Sequence, residues 1–216
     1  YAGMDSALDD AVGAILKKLR DTGLEKDTLV VFLSDNGCAT YTGACTNDPL
    51  RLGKLTHFEG GFRVPFALKL PGRIKAGMIY EQPVSSLDLA PTAVALAGGK
   101  LPADRAYDGV DLMPYLAGKK KTAPHEALCW RNGENAGVRK GNWKLFKGGE
   151  RYWLYDLSKD VCERQNVADK YPAIVAQLKK ELADWEARMK QPMWPCRKAG
   201  DAFPAVVDGV KLNICI

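Results

Sequence analysis

Ser34-Asp35-Asn36-Gly37 closes the apolar run Thr28-Leu29-Val30-Val31-Phe32-Leu33 and sets a carboxylate beside an amide carbonyl. Both are hard oxygen donors of the kind Ca²⁺ and Mg²⁺ take. Two donors are too few for a metal centre, so a site built on Asp35 and Asn36 needs ligands from elsewhere. By residue type the same letters also form an ordinary turn, in which Asn and Gly tolerate positive φ. Further on, Gly53-Lys54 offers a compact cation on a long stem, able to reach an anion held at such a metal. Glu59-Gly60-Gly61-Phe62-Arg63-Val64-Pro65 then brackets two glycines with opposite charges. Glu59 and Arg63 read as structural support for the loop that holds Lys54. His57 is placed either to face the site as a proton donor or simply to pack.

Several other chemistries are excluded by the letters. A phosphate-binding P-loop needs Gly five residues before Gly53 and Ser or Thr after Lys54, but Asp48 and Leu55 stand there. No Ser lies in a Gly-x-Ser-x-Gly elbow, and neither His57 nor His125 has triad spacing. No Cys-x-x-Cys pair occurs among Cys38, Cys45, Cys129, Cys162, Cys196 and Cys215, which argues against zinc. The even count admits disulfides, Cys38/Cys45 as a local pair and Cys162/Cys196 as a longer one. It admits free, half-buried thiols equally, since spacing does not fix connectivity.

The elements that must position these residues follow from periodicity. Met4, Leu8, Val12, Ile15, Leu16 and Leu19 predict an amphipathic helix over 3–21, stopped at Gly23. The run through Leu33 predicts a parallel strand, with Asp35 and Asn36 at its carboxyl end, where open α/β sheets hold their ligands. Residues 37–61 form a long loop, the kind that inside a compact domain is usually functional. A strand follows over 64–70. A helix capped by Ser85 or Ser86 comes next, with Pro91 early enough to be tolerated. Past Gly118, strand-like runs at 127–131, 136–139, 143–146 and 152–156 are separated by Gly-containing turns, which predicts an antiparallel meander. Ile174, Leu178, Leu182, Trp185 and Met189 predict one more helix, with Pro172 at its start. The tail from Gln191 reads as irregular, packed by Trp194 and Phe203.

The chain has 216 residues, 46% hydrophobic and 26% charged, with a net charge of +5. That suffices for one large or two small domains. The division expected is an α/β part over 1–116 and a small sheet-and-helix region over 117–216. Lys119-Lys120-Lys121 reads as a solvated loop rather than a nucleic-acid patch. No apolar stretch reaches the ~18–20 residues of a membrane span. The opening at Tyr1, directly into a helical pattern, reads as an excised piece, with any signal peptide out of sight.

The order of motifs resembles the sulfatases of the alkaline phosphatase superfamily. The residues that carry the resemblance are Leu8-Asp9-Asp10-Ala11-Val12-Gly13, Ser34-Asp35-Asn36-Gly37, Gly53-Lys54 with Glu59 to Pro65, and Asp88-Leu89-Ala90-Pro91-Thr92. Gly137 to Leu145 and Leu154-Tyr155-Asp156-Leu157 extend it to about residue 190. The resemblance implies the C-terminal part of an alkaline-phosphatase-like doubly wound α/β sheet, followed by a small α+β subdomain. It implies Asp35 and Asn36 as ligands of a catalytic Ca²⁺ (or Mg²⁺) and Lys54 as a sulfate contact, with a sulfated small molecule or glycan as substrate. It further implies a periplasmic, secreted or lysosomal setting.

The family's nucleophile motif, Cys-x-Pro-Ser-Arg or its Ser form, does not occur in this sequence. Its formylglycine is therefore expected upstream, and the chain alone is expected to be inactive. A phosphatase or phosphonate monoester hydrolase of the same superfamily is an alternative. So is a non-catalytic glycan-binding module using Trp130, Trp143 and Trp153. A sheet that has lost neighbouring strands would also expose Val30/Phe32 and Phe66/Leu68, from which self-association is expected.

Overall fold

The computed structural model describes residues 1–191, 193 and 205–215. The chain divides into two compact units that are interleaved along the sequence: Tyr1–Leu33 with Phe66–His125, and Ser34–Pro65 with Glu126–Ile216. The long loop over 34–65, grouped by sequence with the α/β part, thus shares a unit with the C-terminal region.

In the first unit, helix α1 (Ala2–Asp21) follows the predicted stripe. Thr22 donates its hydroxyl to Lys18 O, and Gly23, at φ +72, turns the chain out of the helix. Val12, Leu16 and Leu19 are only partly covered, and no residue of α1 is buried. Strand β1 (Val30–Leu33) pairs with β2 (Phe66–Lys69) in antiparallel register, Val30 opposite Lys69 and Leu33 opposite Phe66. This corrects the parallel reading of β1. A short apolar run signals a strand but says nothing of its partner's direction, and Pro65 returns the chain beside the strand it left.

Asp88 is the polar hub of this unit. Its carboxylate, fully buried, accepts from Ser85 N and Val110 N and lies 2.9 and 3.0 Å from His125 Nε2. It therefore completes, with Ser85, the capping box of the turn Ser86–Asp88 that leads into helix α3 (Leu89–Leu96), and it ties the segment before helix α4 (Met113–Leu116) to that turn. Thr92 adds a bond from Leu112 N. His125, given no role by sequence, is a structural partner of Asp88.

The second unit is built on the meander β3 (Leu128–Asn132), β4 (Asn135–Lys140), β5 (Trp143–Gly148) and β6 (Arg151–Asp156), paired in that order. Two-residue turns led by glycine at positive φ, such as Gly133 (+59) and Gly141 (+57), set its register. Alternation sorts the side chains to two faces. Ala136, Val138, Leu145 and Leu154 meet Leu178 and Leu182 of helix α5 (Pro172–Arg188). Phe146, Trp153 and Tyr155 face the other way and pack with Phe58 of the long loop and with Ala205, Val207, Leu212 and Ile214. Those last residues flank a small hairpin, β7 (Val206–Val207) with β8 (Val210–Lys211), where sequence suggested only irregular chain. Trp194 and Phe203 lie outside the described residues.

Cys38 and Cys45 form a disulfide. The longer pairing is corrected at one end: Cys162 is a free thiol, while Cys196 lies outside the described residues. Cys215 is itself disulfide-bonded.

Candidate functional site

The loop over 34–65 is folded by backbone against backbone. Gly37 N–H donates to Gly61 O at 2.8 Å, and Ser34 N–H to Pro65 O at 3.2 Å. A Cβ on Gly37 would fall 1.7 Å from Gly60 O, so only glycine allows this approach. Lys54 N–H donates to Cys38 O at 3.0 Å. Asn47 clamps the same segment, accepting from Cys38 N–H and donating to Cys38 O and Leu52 O. The disulfide closes it from outside. Consequently the backbone of Lys54 lies one hydrogen bond from the residue two places beyond Asn36.

Leu52 and Leu55, on either side of Gly53-Lys54, hold φ of +56 and +74. Such a conformation costs an ordinary residue about 1–3 kcal/mol. Both side chains pack on the Phe58–Phe146 core, which offsets that cost.

Beneath the loop lies a buried ionic cluster. Lys144, fully buried on β5, places Nζ 3.0 Å from Glu59 Oε1 and 2.7 Å from Glu163 Oε1, the latter an ion pair rather than an aligned hydrogen bond. Glu163 Oε2 accepts from Glu59 N–H, and Arg139 reaches Glu59 Oε2 at 3.4 Å. Arg51 donates to Glu163 O and lies over the Phe58 ring. Burial pushes the Glu163 carboxyl above its ordinary range, and the Lys144 charge pulls it back. Glu59 starts the short helix α2 (Glu59–Phe62), so the cluster bolts that turn to the sheet. Removing one partner would strand the others in a low-dielectric interior.

The four residues singled out by sequence occupy different environments. Asp35 is exposed, while Asn36 and Lys54 are partly covered. His57 is buried, its ring stacked near Phe146 at 6.1 Å, and its Nδ1 has no hydrogen-bond partner. Burial first, and the Lys144 charge second, lower its pKa to about 4. It is therefore neutral at pH 7, which disfavours a role as imidazolium proton donor. Asp35 and Asn36 fit a hard cation in kind but not in number. Among the described residues no group of three His, Cys, Asp or Glu side chains converges to hold a metal.

Lys144, Glu163 and Arg51 were missed by sequence reasoning. One signal was available for Lys144: it falls two residues before Phe146 on an alternating strand and so shares that inward face. The three tryptophans proposed as a shared binding face do not form one. Trp153 is buried in the core, Trp143 faces α5 and Tyr171, and Trp130 lines a surface pocket, stacked on Phe62 at 4.2 Å.

A model of the sulfatase family matches residues 1–99, and one described as N-sulphoglucosamine sulphohydrolase, C-terminal, matches residues 52–188. N-acetylgalactosamine-6-sulfatase of Mus musculus is 38% identical over 173 residues, covering 78% of this chain and 33% of its own length. Arylsulfatase A of Bos taurus is 36% identical over 220 residues, covering 84% of this chain and 43% of its own. Among solved structures, Ps i-CgsB in complex with k-i-k-neocarrahexaose superposes with TM-score 0.82 at 33% identity, over 90% of this chain and 44% of that one. The chain thus spans 33% of the length of the N-acetylgalactosamine-6-sulfatases it matches.

Proposed function

The chain belongs to the sulfatase family, with its alkaline-phosphatase-like α/β fold, and from that membership we infer that it supplies one part of a sulfate-ester hydrolysing site. In this reading Asp35 and Asn36 provide two of the oxygen ligands of a divalent ion, Ca²⁺ before Mg²⁺, and Lys54 neutralises an oxygen of the sulfate group. The ion, when bound, would polarise the ester's sulfuryl oxygens. The observation that carries the reading is the pair of backbone bonds Lys54 N–Cys38 O and Gly37 N–Gly61 O. They tie the backbone just beyond the acid-amide pair to Lys54 and to Gly61, which supports reading the three residues as parts of one site. The buried Glu59–Lys144–Glu163 cluster keeps that loop in place.

Two donors do not make a metal centre, and the formylglycine motif is not in these 216 residues. The chain alone is therefore expected to be inactive. We take its substrate to be a sulfated small molecule or glycan and its setting an oxidising compartment. The Cys38–Cys45 bridge supports the setting.

Titration with inorganic sulfate, followed by amide NMR over residues 36–61, is the direct test. Weak binding that disappears in Lys54→Ala is expected, together with no turnover of an aryl sulfate in the presence of Ca²⁺. Sulfate shifts indifferent to Lys54→Ala, or turnover by the chain alone, would overturn the reading.

A further inference from the structure

A pocket of about 390 Å³ lies within the second unit, at the outer strand of its sheet. It takes lining residues from both faces of β3: Trp130 and Asn132 from one, Cys129 and Arg131 from the other. Trp185 of α5 forms one wall, and the segment Leu55-Thr56-His57, immediately after Lys54, forms another. We propose that this pocket is a saccharide subsite, in which a pyranose ring stacks on Trp130 while Thr56, Arg131 and Asn132 bind its hydroxyls.

The walls suit a ring that is apolar on its faces and polar at its rim. Phe62 stacks on Trp130 with the planes 17° apart, which fixes the indole as a rigid platform. The polar groups keep bonding capacity in hand. Arg131 spends a single contact on Lys190 O and retains further N–H donors. Asn132 donates to Cys215 O and keeps its own carbonyl. Thr56 donates its hydroxyl to Gly53 O, leaving lone pairs to accept. A wholly apolar ligand would strip water from these groups and return no hydrogen bond. A sugar returns several, and the volume falls in the range of small-ligand pockets.

The subsite rests on the sulfate-ester reading only for which sugars reach it, since the wall and Lys54 belong to consecutive residues. The two claims can fail separately. The chain, without divalent ions, is titrated with N-acetylgalactosamine and with N-acetylgalactosamine 6-sulfate, the sugar named in its relatives, while the indole N–H signals are followed by NMR. Both sugars are expected to move the Trp130 signal. Trp130→Ala should weaken both about tenfold. Because that change also unstacks Phe62, the exposed Asn132→Ala serves as the milder variant and should weaken both by about threefold. Lys54→Ala should lower affinity for the sulfated sugar alone; if it does not, the sulfate reading falls and the subsite stands. Three results would overturn the subsite: no shift with either sugar at millimolar concentration, preference for 4-nitrophenol over both sugars, or sugar binding untouched by both pocket variants.

Discussion

The two units differ in what they hide. The first carries its longest element, α1, with no buried residue, and leaves Met4, Leu8, Ile15 and Phe32 exposed; its buried apolar residues are Leu70, Pro91, Leu112, Tyr115 and Pro124. The second covers both faces of a four-stranded sheet and encloses three charged side chains on one of them. One unit shows that an amphipathic pattern can specify a helix whose apolar stripe finds little cover. The other shows that a small sheet becomes a self-contained core once a helix and a loop are laid across it.

The sharpest way to break this contrast is Lys144→Met. With Glu59 and Glu163 left facing each other in the interior, a loss of about 3–5 kcal/mol is expected in urea unfolding. A loss below about 1 kcal/mol would mean that water already reaches the cluster.

Next in size is the pH dependence. His57 takes up its proton near pH 4 when folded but near 6.5 when unfolded. As pH falls from about 6.5 to 4, the unfolded chain therefore binds the proton first and stability drops, by on the order of 3 kcal/mol. Above 6.5 this contribution is flat. A histidine NMR titration that finds the His57 midpoint near 6.5 would remove it.

The smallest effect belongs to the first unit. Leu8→Ala should change stability by less than about 0.5 kcal/mol, because the side chain is already 54% exposed. Sedimentation should instead show concentration-dependent association that Leu8→Lys with Ile15→Lys suppresses. A monomer at every concentration would show that the exposed stripe is tolerated in water.

What could be read from sequence followed the range of the interaction. The meander was legible because its turns declare themselves locally, in Asn132-Gly133 and Lys140-Gly141-Asn142. So was α5, whose stripe and Pro172 both lie within the helix. The direction of β1 was not, since pairing with Phe66–Lys69 depends on a loop that leaves and returns. Asp35, Asn36 and Lys54 were legible as residue types in order, but Asn47 as their clamp was not. Lys144 and Glu163 lie 85 and 104 residues from Glu59, and no local pattern announces such a partnership.

The interleaving of the units also sets an order of events on the ribosome. Residues 34–65 leave the exit tunnel well before the strands from Leu128 onward that their Phe58 and Glu59 pack against. At synthesis rates of about 5–20 residues per second, roughly 60 intervening residues mean a delay of about 3–12 s. During that interval the segment that carries Cys38 and Cys45 lacks the core it later packs against. The finished core that later holds the loop cannot yet guide them, so the small ring they close is left to Asn47 and the local glycines.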